Sequence, residues 1–418
     1  MNLKQFYKKD YSTRLSLLST QLNLTSDELT LIANQRSQQG DAIIENYLMD
    51  YSVPEGIAVN FLINGQEKIM PMVTEEPSVI AAASNGAKMM HMGKGILVQT
   101  TPRLMMGQVL LANVSNSSKL SAQLTQNEAQ ILRVANEAHP SIVKRGGGAK
   151  KIRVRQLDNQ FVSLDVYIDT KEAMGANMIN TMLEAVANYL HIELGQSSLM
   201  AILSNLADEC VATATCRIPF ERLTSRTLDG KQVAQQIVLA SQAAQVDPYR
   251  AATHNKGIMN GVDAVVLASG NDWRSIESAA HAYAVKDGQY RGLSQWKIQE
   301  NDLVGSLTLP LPVGFVGGSI KINSQAQLNH KLLQVGSAAQ LEEAIVSVGL
   351  AQNLAALKAL VTEGIQRGHM HLQAKSLLLG VGATQAELES AQKELEMAPQ
   401  MDEQTAIRIL KRIRTRRN

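Results

Sequence analysis

Aromatic residues are scarce, at 4% of the 418 residues, while methionine is frequent at 17. A core of Ala, Leu, Ile, Val and Met predicts many closely packed helices. There are two cysteines, Cys210 and Cys216. One such pair makes no disulfide framework and its spacing fits no zinc motif, so both read as buried thiols in a reducing compartment, and no metal is expected. The formal net charge of +2 gives no reason to expect nucleic acid or a membrane surface as partner. No apolar run approaches the roughly 18–20 residues that span a bilayer, and the first residues, MNLKQFYKKDYS, lack a signal-peptide apolar region. The expectation is a cytoplasmic protein. Three motifs are also missing: a G-x-G-x-x-G after a strand, a G-x-x-x-x-G-K-[ST] and a G-x-S-x-G. VGFVGGS (313–319) is glycine-rich without the dinucleotide spacing. A Rossmann dehydrogenase, a P-loop NTPase and an α/β-hydrolase are therefore disfavoured.

Hydrophobic residues at 45% and charged residues at 19% belong to an ordinary globular chain, and its length allows two or three domains. TSDELTLIANQ opens a helix with Thr25 three residues before Glu28, a capping-box spacing. In GIAVNFLINGQEKIMPMV the Asn64-Gly65 pair predicts a hairpin. Pro77 and Ser78 then open a small-residue helix. Near Pro102 the character changes: LMMGQVLLANV is strand-like, TQNEAQILRVANEA is helical, and after the basic turn KRGGGAKKIRVR come the strand FVSLDVYID, a long helix and the strand ECVATATCRI. That order predicts a ferredoxin-like βαββαβ unit over roughly 103–207. Met174, Met178, Met182, Val186 and Leu190 form an i+4 stripe, read as core packing. After 208 helices and short strands alternate. A break is placed at GIQRGHMHL, ahead of a helical module with a basic, solvated end.

Four segments set a titratable residue among small neighbours. Glu76 precedes Pro77 at a helix start, where it is either a first-turn acid favoured by the dipole or a proton donor. Lys256, in THNKGIMNG ahead of the strand-like run Val262–Leu267, reads as a loop lysine, solvated or held as a cation. Asp272 follows a strand ending at Ala268-Ser269-Gly270 and either caps the next helix or acts as a carboxylate. His369 stands at the break, packed, exposed or catalytic. Together the four make an acid, a cation, a carboxylate and an imidazole, a set suited to carbonyl reduction with proton delivery.

Long ordered segments carry a resemblance: VPEGIAVNFLING, TEEPSVIAAAS, EAMGANMINTMLEAV, VDPYRAATHNKGIMNGVDAVVLASGNDWRSIESAAHAYA, LVGSLTLPLPVGFVGG and AIVSVGLAQNL. From end to end the chain resembles the soluble, bacterial class II hydroxymethylglutaryl-coenzyme A (HMG-CoA) reductases. The resemblance implies an α+β fold: a mostly helical large substrate- and CoA-binding domain (1–102 and 208–367), an inserted ferredoxin-like, non-Rossmann nucleotide-binding domain (103–207) and a C-terminal helical flap (368–418). It also implies a homodimer with active sites at the subunit interface.

The implied reaction reduces HMG-CoA to mevalonate and CoA with two reduced nicotinamide cofactors, through a hemithioacetal and mevaldehyde. Matching residues take the family's roles. Lys256 is the cation for the developing oxyanion, Glu76 the acid, Asp272 the carboxylate linking them and His369 the proton source for the CoA thiolate. Ser78, Arg250, Asn260 and Gln352 match substrate contacts. Glu172, Met174, Gly175, Asn177 and Asn205 match cofactor contacts. Members commonly read DAMG where this chain has Glu172-Ala173-Met174-Gly175. NADH-preferring members carry an aspartate before Pro140, where this chain has His139 with Lys144 and Arg145 nearby. That departure favours NADPH, with NADH usable. Lys150 and Lys151 read as a solvated hairpin. Two alternatives stay open: the same catalyst oxidising mevalonate, and a catalytically silent CoA-binding homologue.

Overall fold

A computed structural model describes residues 3–362, 364 and 374–417. The first 54 residues form one unit. It holds α1 (Tyr11–Leu22), α2 (Ser26–Asn34) and α3 (Gln38–Ile43). Asp10 caps α1 through the Thr13 amide, and Thr25 and Glu28 form the capping box expected for α2. Arg14 ties the unit together, donating to the Lys9 and Tyr47 carbonyls and pairing with Asp41 at 3.1 Å.

The second unit starts at Glu55. Its first strands, β1 (Glu55–Ile63) and β2 (Gln66–Val73), pair around Asn64 and Gly65, both in the left-handed region as the Asn-Gly turn requires. α4 (Ser78–His91) then covers β1, and β3 (Ile96–Thr100) follows. Next comes a four-stranded antiparallel sheet. β4 (Leu104–Leu111) leads to α5 (Ser117–Gln126), α6 (Glu128–Ala138) and α7 (Pro140–Lys144). β5 (Gly148–Gln156), β6 (Val162–Asp169), α8 (Ala176–Leu194) and β7 (Ser198–Leu203) complete it. The strand order is β5-β6-β4-β7. The methionine stripe is core: Met182, Val186 and Leu190 are fully buried, with Met174 and Met178 packed beside them.

The strand closing that sheet is Ser198–Leu203. ECVATATCRI instead supplies β8 (Val211–Pro219) to a larger sheet of order β11-β12-β8-β3-β1-β2. α9 (Gly230–Val246), α10 (Pro248–Ala268) and α11 (Trp273–Tyr283) follow, then the two-residue strands β9 (Val285–Lys286) and β10 (Gln289–Tyr290). β11 (Ser294–Gln299) and β12 (Asp302–Pro310) complete the large sheet ahead of α12 (Ser324–Leu333) and α13 (Ala338–Val361).

Two expectations fail in this region. Val262–Leu267 is not a strand but the last turns of α10, and Ala268-Ser269-Gly270 ends a helix. A short apolar run cannot distinguish a buried strand from a buried helix by periodicity alone. And α13 is long and apolar enough to cross a membrane, contrary to the expectation of no such run; 72% of its most apolar stretch is buried inside this fold. It packs on α4 and α10 through small residues. A Cβ at Gly86 would overlap the Ala351 carbonyl oxygen, and one at Gly261 would press on Val348 and Gln352. That close approach brings three functional helices together.

The chain ends in α14 (374–380), α15 (Gln385–Glu396) and α16 (Glu403–Arg417), with their own core of Leu378, Leu388, Leu395, Leu410 and Ile413. The side-chain bonds from Arg414 hold the Glu387 carboxyl down to about 2.

Candidate functional site

α4, α10 and α13 border a cleft of about 910 Å³. Lys256 lies mid-way along α10, so it is a helix residue and not a loop lysine. Its Nζ donates to Glu76 Oε2 at 3.3 Å, while Ser78 Oγ donates to Glu76 Oε1 at 3.0 Å. Glu76 stands before the first turn of α4, where its carbonyl accepts from the Val79 amide and its own amide donates to Thr74 Oγ1. One carboxylate thus collects a hydroxyl and an ammonium at a helix N-terminus, where the dipole favours negative charge. The pair is open to the cleft, the Lys256 side chain being 66% exposed and that of Glu76 32%.

Arg250, Lys256 and Asn260 all line the cleft from α10, and Gln352 does so from α13. Helical spacing does this for Lys256 and Asn260, which lie four residues apart. Among the described residues of the lining there are four basic side chains, Arg226, Arg250, Lys256 and Lys358, and one acid, Glu76. The cleft is built for an anion.

Sequence reasoning missed Asn85, Thr224, Ser225, Arg226, His254 and Lys358, all in the lining. His254 had no signal beyond standing two residues before Lys256. Its Nε2 lies 2.7 Å from Ser294 Oγ and 3.2 Å from Asn353 Nδ2, while Trp296 Nε1 and Ser294 Oγ both donate to Asn353 Oδ1. Burial, then the neighbouring Arg250, pulls its pKa down to about 4, so it is neutral at pH 7. This polar knot fastens α10 to β11 and α13 behind the cleft.

A second group of expected site residues collects elsewhere. Asp272 caps α11, accepting from the Arg274 and Ser275 amides, and pairs with Arg274 Nε at 3.1 Å. Asn205 accepts from Ser275 Oγ at 3.0 Å. Next in sequence, Asn271 clasps Gly314 through both its amide and its carbonyl oxygen. Phe315 and Val316 in turn donate to the Glu172 carbonyl. The Glu172 side chain accepts from the Ala338 amide at 2.6 Å, at the start of α13. Gly175, with φ 87°, leads into α8, whose N-terminus has no side-chain cap; Asn177 is exposed in its first turn and Met174 is half-buried. His139 begins α7, its Nδ1 3.2 Å from Ser141 Oγ.

The two groups stay apart within one chain. About 18 Å of helix separates Lys256 from Ala268, and Asp272 lies beyond. Asp272 therefore does not join the Lys256–Glu76 pair of its own chain, as the expected network would have it. His369 lies outside the described residues.

The sequence profile described as hydroxymethylglutaryl-coenzyme A reductase matches residues 10–374. The 3-hydroxy-3-methylglutaryl-coenzyme A reductase of Archaeoglobus fulgidus is 38% identical over 92% of this chain and 88% of its own length. A probable 3-hydroxy-3-methylglutaryl-coenzyme A reductase of Borreliella burgdorferi is 35% identical over 80% of this chain and 77% of its own. Among solved structures, a 3-hydroxy-3-methylglutaryl-coenzyme A reductase from Streptococcus pneumoniae superposes with a TM-score of 0.77 at 46% identity, covering 99% of this chain and all of that one. Another, the class II enzyme of that organism bound to NADPH in open conformations, also gives a TM-score of 0.77 at 46% identity, over 97% of this chain and all of that one. With the Lys256–Glu76 pair set in a basic cleft, these likenesses place the chain in the hydroxymethylglutaryl-coenzyme A reductase family, as a relative of its class II bacterial members.

Proposed function

We propose that the chain catalyses the complete four-electron reduction of HMG-CoA to mevalonate and free CoA. The observation carrying this reading is the Glu76–Lys256 pair, 3.3 Å apart, in a cleft whose other charged residues, among those described, are basic. Arg250 grips the free carboxylate of the acyl group, with Ser78, Asn260 and Gln352 orienting it; a guanidinium suits a planar carboxylate bidentately. A reduced nicotinamide, when bound, would supply the hydride that the acyl carbon takes up in each of two rounds. Lys256 stabilises the negative oxygen that each round creates. Between rounds the C–S bond breaks, and His369 gives the departing CoA thiolate its proton. Glu76, steered by Ser78 and Lys256, protonates the aldehyde oxygen in the second round. The balance is one thioester, two hydrides and two protons giving one primary alcohol and one thiol.

The residues around α8 fit a nicotinamide dinucleotide. The helix presents uncapped amides, which suit a pyrophosphate, and Gly175 before it has a left-handed φ and no room for a Cβ beside Thr170 and Met178. His139, with the exposed Lys144 and Arg145 close by, favours a 2′-phosphate, so NADPH is the better cofactor. Asp272 is supplied to the Lys256–Glu76 pair by a second copy in a homodimer. The large sheet and its helices bind the acyl-CoA, the four-stranded unit binds the nucleotide, the C-terminal helices act as the flap, and the protein works in the cytoplasm.

Two measurements test the reading. Loss of nicotinamide absorbance must depend on HMG-CoA and consume two NADPH per CoA thiol released; no such dependence overturns it. kcat/KM for NADPH should exceed that for NADH by about tenfold, and His139→Asp should narrow or invert the ratio, a change on the order of 1–2 kcal/mol, since a carboxylate there repels the 2′-phosphate. Equal use of both cofactors by the unaltered protein refutes the preference.

A further inference from the structure

Arg103 is 9% exposed, in the first residues after the large sheet gives way to the small one. Nothing in the proposed chemistry uses it. Its Nη1 meets the carboxylate of Glu342, which is 0% exposed on α13. The rest of the guanidinium goes to backbone: Nε donates to the Lys171 carbonyl at 2.8 Å, and Nη2 to the carbonyls of Ala173, at 3.3 Å, and Val313. Two of these three carbonyls belong to the loop 171–175 that leads into α8. We propose that Arg103, held by Glu342, is a positioning residue that sets the shape of this loop for the nicotinamide nucleotide. The inference rests on the assignment of the nucleotide to the start of α8.

Local bonds hold part of the loop: the Lys171 amide and ammonium both go to the Asp169 carboxylate, and the Ala173 amide donates to the Thr170 carbonyl. Lys171 has a φ of 53°, a left-handed conformation unfavourable for a lysine, and Gly175 has one of 87°. Arg103 takes the carbonyl of the strained lysine and that of the residue two beyond it. Glu172, between them, is fastened separately: its carboxylate accepts from the Ala338 amide and its carbonyl from Phe315 and Val316. Both side-chain fastenings end in the first turns of α13, at residues 338 and 342. The loop is therefore suspended from the N-terminus of a helix that is itself buried in the main core. The buried Glu342 carboxylate has a clear use here: it offsets the cost of burying the guanidinium and orients it. Hydride transfer tolerates little misplacement; an error of about 1 Å costs on the order of a hundredfold in rate.

Arg103→Lys keeps a cation for Glu342 but cannot reproduce the fork that reaches Lys171, Ala173 and Val313 together. The expected result is a KM for NADPH raised at least about tenfold, a lower kcat and a KM for HMG-CoA within about twofold of the starting value. Direct NADPH titration by nucleotide fluorescence should show the same weakening. The paired change Arg103→Met with Glu342→Met is measured in parallel, because it leaves no buried charge unpaired and should show the same split. An unchanged NADPH KM in whichever of the two folds, or an equal rise in both KM values, overturns the proposal. Gly175→Ala separates this from the underlying assignment. If it weakens NADPH while the Arg103 variants do not, only the positioning role fails. If neither affects NADPH, the nucleotide is not at α8, and both fail.

Discussion

Lys256→Ala should leave a folded protein that still binds HMG-CoA but turns over about a thousandfold more slowly. The size follows from the charge it meets. Removing a single donor from an oxyanion costs about 10²–10³ in kcat, and an ammonium is a stronger donor than a neutral amide. The fold is spared because the side chain is 66% exposed and, among the described residues, its one side-chain bond is to Glu76. Substrate binding is spared on the proposed reading, in which Arg250 holds the carboxylate, and the remaining lining is unchanged. Circular dichroism, HMG-CoA titration and NADPH oxidation check the three parts separately. Activity above a few per cent would remove Lys256 from the chemistry. Lys256→Arg should recover little, since the planar, wider guanidinium cannot occupy the point that an ammonium does.

What was legible in the sequence divides along a physical line. Local chemistry was readable: the Asn64-Gly65 hairpin, the Thr25–Glu28 box and the methionine stripe each depend on neighbours within a few positions, and each stands as expected. The reading failed where tertiary context decides. Val262–Leu267 is apolar except for Asp263 because α10 is buried among α4, α9 and α13, and that blurs the periodicity that would mark a helix. The same burial makes α13 apolar enough to pass for a membrane helix. The cleft was half legible. Motifs pointed to Glu76, Ser78, Arg250 and Lys256, while Asn85, Thr224 and His254 line it through folding alone and carry no local mark. Glu172 shows the limit in one residue. Its side chain accepts from an amide 166 positions away, a partner that no window of sequence could supply.

Mixing two inactive subunits should restore activity, and this result distinguishes a shared site from a self-contained one. Asp272 lies beyond the far end of α10 from Lys256, across about 18 Å of helix. A lysine side chain spans only a fraction of that. If Asp272 acts on the Lys256–Glu76 pair at all, it comes from another copy. In the proposed homodimer, Lys256→Ala and Asp272→Asn should each be nearly inactive. Let the two be unfolded, mixed equally and refolded. In a heterodimer, one site combines both defects and the other has neither, because the intact lysine and the intact aspartate belong to different chains. Random pairing makes about half the dimers mixed, and each has one working site, so about a quarter of the original activity returns. Were each site built from a single chain, every site in the mixture would carry one defect and nothing would return. The proposed homodimer predicts the first outcome, because within one chain α10 carries Asp272 away from the lysine proposed to stabilise the oxyanion.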